Sequence, residues 1–251
     1  MPAQDTTVTP GPSKPDFDAQ VTGLAALGDP LRRSLYRYVV AQSAPVNRDQ
    51  VAAGVGVARH VAKFHLDKLV VDGLLAVEYA RPPGRGGPGA GRPAKLYRRS
   101  SRELELSLPH REYEFAARLL ANAVTTAEHD DVAVGDALRQ VAQDAGRTLG
   151  RHARRDAGAR PTPSRLLAAA TTVLGESGYE PRVDDAGVTL VNCPFHRLAK
   201  KHTELVCGMN LDLMIGLVEG LDDPTLEARL EPAQGLCCVR LRRVAGEAST
   251  R

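Results

Sequence analysis

The fold of this chain is decided by the stretch from Asn47 to Arg99, NRDQVAAGVGVARHVAKFHLDKLVVDGLLAVEYARPPGRGGPGAGRPAKLYRR. Asn47 is a favourable N-cap for a short helix, which the glycines of Gly54-Val55-Gly56 bring to an end. A second helix is predicted from Ala58 to Val70, and it ends at Asp72-Gly73 because glycine readily adopts the left-handed conformation of a helix C-terminus. A short helix, a glycine turn and a longer helix are typical of a helix-turn-helix.

The longer helix has an apolar face and a polar face. The apolar residues that recur at helical spacing, and that we therefore expect to be buried, are Val61, Phe64 or His65, Leu66, Leu69 and Val70. Arg59, His60, Ala62 and Lys63 are then exposed in the N-terminal half of the helix, and Arg59, His60 and Lys63 are the polar residues among them. Base-reading side chains of a recognition helix occupy that half, so these three residues are candidate DNA-binding residues.

A long hairpin is predicted after the helix pair. Leu74–Tyr79 and Lys95–Arg98 are strand-like, and a segment rich in Gly, Pro and Arg joins them. Between Tyr79 and Arg102 the chain carries six basic residues and no acidic one. A cationic hairpin suits contact with phosphates or a narrow minor groove, and the alternative is a disordered solubilising loop. The candidate DNA-binding residues of this hairpin are Arg85, Arg92 and Lys95.

These features resemble a known group of bacterial proteins. Gly28-Asp29-Pro30-Leu31-Arg32 precedes a helix with Asp29 as its cap, the helix pair follows, and Asp72-Gly73-Leu74-Leu75 and Gly91-Arg92-Pro93-Ala94-Lys95-Leu96-Tyr97 complete the pattern. Residues 20 to 100 resemble the ArsR/DeoR-type winged helix-turn-helix transcriptional regulators. The resemblance implies a winged helix that binds double-stranded DNA, and it says nothing of the signal that is sensed.

The charge distribution agrees with this expectation. Residues 1–100 carry 14 Lys and Arg against 8 Asp and Glu, whereas residues 101–251 carry 19 against 22. The basic charge therefore lies on the half that is predicted to bind DNA. No apolar run approaches the roughly 18 residues of a membrane span, and Met1–Pro15 lacks the pattern of a secretory signal. We expect a cytoplasmic protein with no membrane contact.

The element pattern predicts an α+β protein in four parts. Residues 1–15 form a disordered arm, 16–108 the winged-helix DNA-binding domain, 109–160 a helical dimerisation or linker segment, and 161–245 a small α+β sensor domain with an antiparallel sheet. The order predicted for the last part is one helix, two strands, two helices and two strands.

The helical segment contains two amphipathic helices, predicted at Arg111–Ala127 and Val134–His152. A pseudo-palindromic operator demands a two-fold symmetric protein, so these helices are candidates for the interface of a homodimer. Packing against the last domain is the alternative. The basic stretch from Arg151 to Pro163 is predicted to be a linker.

All four cysteines lie in the last domain, at Cys193, Cys207 and the adjacent pair Cys237 and Cys238. In a reducing compartment such clustering favours metal binding or redox chemistry over disulfides, although buried cysteines can also serve as small apolar core residues. Cys193 is predicted at the end of a strand and Cys207 in a turn between two helices. Cys237 and Cys238 are predicted in the last strand.

Adjacent residues of a strand face opposite sides, so only one of Cys237 and Cys238 is expected to join Cys193 and Cys207 in a site. The fourth ligand position is then open or filled by a residue other than cysteine. The candidates are His196, His202 and Glu204, of which His196 follows Cys193-Pro194-Phe195 directly. Three cysteines and such a ligand suit either zinc or an iron–sulfur cluster.

The cysteine pattern resembles that of the SufR-type iron–sulfur repressors, which also begin with a DeoR-type winged helix. That resemblance implies a cluster held by Cys193, Cys207 and one of Cys237 and Cys238, with zinc as the alternative. The adjacent cysteine pair and Phe195-His196 depart from the family pattern. The expected protein is a homodimeric repressor, not an enzyme, that binds a pseudo-palindromic operator and senses redox or cluster status.

Two other functions remain open at this point. The first is a winged-helix regulator that responds to zinc or a small ligand. The second is a thiol-dependent or ligand-processing enzyme that uses its winged helix for protein contacts. The chain has no Gly-rich phosphate loop, nucleophile elbow or Cys-x-x-Cys motif to support the enzyme.

Overall fold

A computed structural model describes residues 17–80 and 93–244, so the predicted N-terminal arm and much of the hairpin tip, with Arg85 and Arg92, lie outside the described residues. The protein is of mixed α and β structure, and its sheets are antiparallel. The chain divides into two compact units, with the boundary between Leu106 and Ser107.

The first unit contains four helices and a three-stranded sheet among its described residues. In chain order its elements are α1 (Phe17–Ala26), α2 (Pro30–Val40), β1 (Val46–Asn47), α3 (Arg48–Val55), α4 (Arg59–Val71), β2 (Leu75–Ala80) and β3 (Ala94–Arg99). The strands lie in the order β1-β3-β2, and Val46 of β1 pairs with Tyr97 of β3.

Local sequence signals account for the helix ends of this unit. The carboxylate of Asp29 accepts hydrogen bonds from the backbone of Leu31 and Arg32, and Pro30 opens α2. Asn47 and Gln50 form a capping box at the start of α3, which ends at Gly56 in the left-handed conformation. These ends were predicted from the sequence and are confirmed.

Two expectations for α4 are wrong: Phe64, one of the two alternatives with His65 for a buried position, is exposed, and Ala62, expected to be exposed, is buried. The buried residues of α4 are Ala62, Leu66 and Leu69, which recur at helical spacing and face Leu35 and Tyr97 in the core. Phe64 lies two residues from Ala62, a rotation of about 200° around a helix, so its side chain points to solvent and is 68% exposed.

The second unit contains five helices and a four-stranded sheet among its described residues. Its elements are α5 (Tyr113–Asp130), α6 (Val134–Asp156), α7 (Pro163–Glu176), β4 (Pro181–Asp184), β5 (Gly187–Leu190), α8 (His196–Lys201), α9 (Thr203–Leu221), β6 (Leu226–Leu230) and β7 (Val239–Arg243). The strand order is β4-β5-β7-β6. From α7 onward the order of elements is the one that the sequence predicted.

Three boundaries differ from the sequence-based expectation. The helix α6 continues to Asp156 and so includes the start of the predicted linker. Thr162, rather than Ser164, caps α7 through its hydroxyl. The helix α9 begins at Thr203 rather than Leu211, because the turn expected around Gly208 is absorbed into a continuous helix. Cys207 therefore lies inside α9 and not between two helices.

The apolar face of α6 is buried within this unit. Leu138, Ala142 and Ala145 belong to the same core as α9 and the sheet, so residues 109–160 share a core with the segment that bears the cysteines. This is the packing alternative that the sequence left open for α6.

Glycines allow α6 and α9 to approach with their backbones in contact. A methyl group added at Gly150 would lie 2.2 Å from the carbonyl oxygen of Leu217, and one added at Gly216 would lie 2.0 Å from that of Gln143. Gly146 and Gly220 are equally close to the opposing backbone. The two pairs have the spacing Gly-x-x-x-Gly, which places both glycines of a helix on the contact face.

Gly150→Ala is expected to lower the free energy of unfolding by more than about 2 kcal/mol, because the added methyl group would force the helices apart. Gly135→Ala on the same helix is the matched control, since nothing lies within 4 Å of that position. The control is expected to be neutral or slightly stabilising, because alanine has the higher helix propensity. Urea unfolding monitored by circular dichroism measures both, and equal midpoints would contradict the packing described here.

Candidate metal centre and nucleic-acid interface

The four cysteines are presented by three separate segments of the second unit. Cys193 lies in the loop after β5, Cys207 lies in the second turn of α9, and Cys237 and Cys238 lie directly before β7. All four are free thiols. Cys238 is partly exposed, and the other three are buried.

The thiols form one chain of interactions. Cys237 interacts with Cys193 on one side and with Cys238 on the other, and Cys238 interacts in turn with Cys207. Hydrogen bonding from Cys193 and then from Cys238 lowers the pKa of Cys237. The same hydrogen bonding to Cys237, followed by burial, raises the pKa of Cys193 and that of Cys238. Cys237 therefore lies at the centre of these interactions, with Cys193 and Cys238 as its partners.

The adjacent cysteine pair does not behave as expected for a strand. Cys237 and Cys238 precede β7 instead of lying in it, so the alternation of a pleated strand does not separate their side chains. The backbone amide of Cys237 donates to the carbonyl of Leu190, and the carbonyl of Cys238 accepts from Glu231. The prediction that the two cysteines lie in the last strand is therefore wrong, so strand alternation does not decide which of them faces the other cysteines.

A buried polar pair supports the Cys237 sulfur. The side-chain amide of Asn210 donates to Cys237 Sγ at 3.2 Å, and the Tyr179 hydroxyl donates to Asn210 Oδ1 at 2.6 Å. Both Asn210 and Tyr179 are 1% exposed. Burial, and then the charge of Cys237, raises the pKa of Tyr179, so the phenol stays protonated and remains a donor. Sequence reasoning missed both residues, although Asn210 lies one turn after Cys207.

A second polar cluster holds the Cys193 loop. The guanidinium of Arg111 donates to Asn192 Oδ1 at 2.5 Å and to the carbonyl of Cys193 at 2.8 Å. The amide of Asn192 donates to the carbonyls of Gly178 and His110. The loop is therefore fastened to the segment that precedes α5. The sequence gives no spacing signal for this cluster, because Arg111 and Cys193 are distant along the chain.

The predicted non-cysteine ligands lie on the surface. His196 opens α8 and is exposed, and His202 and Glu204 are exposed around the start of α9. Burial, followed by the charges of Lys200 and Arg111, lowers the pKa of His196. Within residues 17–80 and 93–244, no group of three or more His, Cys, Asp or Glu side chains has the arrangement of a formed metal site.

In the first unit, two of the predicted DNA-binding residues have intramolecular carboxylate partners. Arg59 forms a two-pronged ion pair with Asp49 of α3, with contacts of 2.6 and 2.7 Å. Lys95 of β3 donates to Asp67 of α4 at 2.5 Å, and the Tyr97 hydroxyl donates to the same oxygen at 2.9 Å. His60 and Lys63 are exposed on α4 and form no ion pair with a described residue.

Asp67 joins the helix to the hairpin and was missed in the sequence. Burial acts to raise the pKa of Asp67, but the hydrogen bonds from Lys95 and Tyr97 outweigh it, so the pKa lies below its usual value. Burial and the hydrogen bond to Asp67 raise the pKa of Tyr97. Asp67 is therefore ionised at neutral pH and fixes the end of β3 against α4.

No protein-family model, curated protein or solved structure matches this chain. Within the described part of the chain, no helix combines the length and the apolar character that crossing a bilayer requires.

Arg111→Ala is expected to lower the free energy of unfolding of the second unit by about 1–3 kcal/mol, because the carbonyl of Cys193 and Asn192 Oδ1 would each lose a donor. Arg139→Ala is the control, since Arg139 forms a solvent-exposed pair with Asp136 on α6. Its removal should change stability by less than about 0.5 kcal/mol. Thermal and urea unfolding report the difference, and a loss no larger than that of the control would argue against the Arg111 cluster.

Proposed function

We propose that this protein is a DNA-binding transcriptional regulator whose first unit is a winged helix-turn-helix. Support comes from the connectivity: α3, the turn at Gly56, α4 and the antiparallel sheet β1-β3-β2 follow the order of that motif. The exposed N-terminal half of α4 carries His60 and Lys63, and the segment between β2 and β3 is basic in sequence. This surface suits the polyanionic backbone and the major groove of DNA.

More particularly, the protein is a regulator of the SufR type, in which the second unit senses cofactor or redox status. The observation that carries this half of the proposal is the convergence of four thiols from three segments. Cysteine sulfurs in such a cluster are ligands for iron–sulfur clusters and for zinc. The sulfur of Cys237 accepts a hydrogen bond from Asn210, and hydrogen bonds to sulfur tune the potential of such clusters.

Cys193, Cys207 and one of Cys237 and Cys238 would hold the group. The chemistry of these side chains suits three thiolates with a further ligand, although the described residues are not arranged as a formed metal site, and the exposed His196 lies three residues after Cys193. An iron–sulfur cluster would supply a group whose charge and integrity respond to oxidants and iron supply. Asn210 and Tyr179 would keep Cys237 oriented, and Arg111 would link the Cys193 loop to the segment before α5.

Regulation then requires that the two cofactor states bind DNA with different affinity. A homodimer on a pseudo-palindromic operator offers one route, because a change in the distance between two recognition helices alters their fit to the half-sites.

The sensor proposal is tested by anaerobic purification followed by an absorption spectrum and by iron, sulfide and zinc analysis. Cys193→Ala and Cys207→Ala are each expected to abolish stoichiometric cofactor, since thiolates are its anchors. One of Cys237→Ala and Cys238→Ala should do the same, while the other behaves like the parent protein. Zinc without sulfide would identify the alternative cofactor. Absence of both metals, with all four thiols alkylated at equal rates, would contradict the sensor.

The DNA proposal is tested with a duplex selected from a random-sequence library by the purified protein. Lys63→Ala is expected to weaken binding by about 1–3 kcal/mol and to reduce the preference for the selected duplex over random DNA. Lys201→Ala removes the same charge from an exposed position in the second unit and serves as the control. Fluorescence anisotropy at several salt concentrations measures both variants. An equal loss for the two lysines would mean that α4 does not read bases.

A further inference from the structure

Phe64 is an exposed aromatic residue in the middle of the predicted recognition helix. Its ring is 68% exposed and has one aromatic neighbour, His65, at a centroid distance of 5.2 Å. A single exposed apolar residue is common on proteins and means little by itself. Phe64 is of interest because of the side chains that surround it on α4.

Some of the polar side chains near Phe64 already have carboxylate partners within the protein, and others do not. Arg59 is engaged by Asp49, and Lys95 is engaged by Asp67. The exposed side chains without an ion pair to a described residue are His60, one turn earlier on the same face, and the adjacent Lys63. The part of α4 that would enter a major groove therefore presents one aromatic ring, that of Phe64, beside two polar side chains, His60 and Lys63.

The major groove of DNA presents one apolar group, the C5-methyl group of thymine. A phenylalanine ring on a helix that enters the groove can remove that methyl group from water, and no hydrogen bond is required. We propose that Phe64 is a specificity-determining residue that selects thymine at one position of each half-site by contact with its methyl group. This inference rests on the proposed DNA-binding function.

The experiment removes only the methyl group from the DNA. The duplex selected from a random library by the parent protein is resynthesised with deoxyuridine in place of each thymidine in turn, which keeps base pairing and every hydrogen-bonding group. The parent protein is expected to lose about threefold to tenfold in affinity at one symmetric pair of positions, as befits one buried methyl group. Other thymidines should be replaceable with little effect.

Matched variants assign the effect to the ring. Phe64→Ala should bind the thymidine and deoxyuridine duplexes equally, and Phe64→Leu should keep part of the discrimination. Val71→Ala is the control, because Val71 is an exposed apolar residue at the last position of the same helix, outside its N-terminal half. That variant should discriminate as the parent does. Because Phe64 is exposed, its substitution should leave the circular dichroism spectrum unchanged.

Four outcomes overturn the inference. A parent protein that is insensitive to deoxyuridine at every position, or a Phe64→Ala variant that keeps the discrimination, leaves the proposed DNA binding intact and removes the role of Phe64. If Phe64→Ala instead changes the sedimentation coefficient of the free protein, the ring belongs to a contact between copies of the chain. Failure of the parent to select any duplex over random DNA overturns both this inference and the proposed function.

Discussion

The close contact between α6 and α9 is the constraint on which the second unit depends. Glycines at positions 146, 150, 216 and 220 let the two backbones meet, so that carbonyl oxygens of each helix lie where side chains would otherwise be. This contact fixes the long helix α9 in the middle of the core, with Leu213 and Leu217 buried. Because α9 also carries Cys207 and Asn210, the position of the cysteine cluster follows from this helix contact.

The cysteine cluster is built from three segments that are separated along the chain. A loop after β5, the second turn of α9 and the residues before β7 meet because the sheet order β4-β5-β7-β6 places β5 beside β7. The amide of Cys237 donates to the carbonyl of Leu190, which draws the last cysteine pair toward the Cys193 loop. Buried partners, Asn210 with Tyr179 and Arg111 with Asn192, then orient Cys237 Sγ and the Cys193 loop. In these surroundings the protonation of each thiol depends on its neighbours.

The two units differ in how they use charge. In the second unit the arginines of α6 are largely paired within the protein, as Arg147 is with Asp144 and Glu219. In the first unit Asp49 and Asp67 engage Arg59 and Lys95 and hold the helix pair and the hairpin together. The Arg59–Asp49 pair is largely exposed and individually weak, whereas the Lys95–Asp67 pair is only about one-third exposed and is reinforced by the Tyr97 hydroxyl. On α4, the exposed polar side chains without an ion pair to a described residue are those of His60 and Lys63, and they lie beside the exposed ring of Phe64.

The sequence by itself determined the features that depend on near neighbours. The caps at Asp29 and Asn47, the left-handed glycines at positions 56 and 73, and the order of strands and helices follow from residues within a few positions of each other. Three features depend on the tertiary structure: the exposure of Phe64, the continuous helix through Gly208 and the position of Cys237 and Cys238 before β7 rather than within it. Each depends on a partner far along the chain, such as the core of the first unit or the backbone of Leu190. Local propensity cannot supply that information, because the free energy that settles each case comes from packing and hydrogen bonds between distant segments.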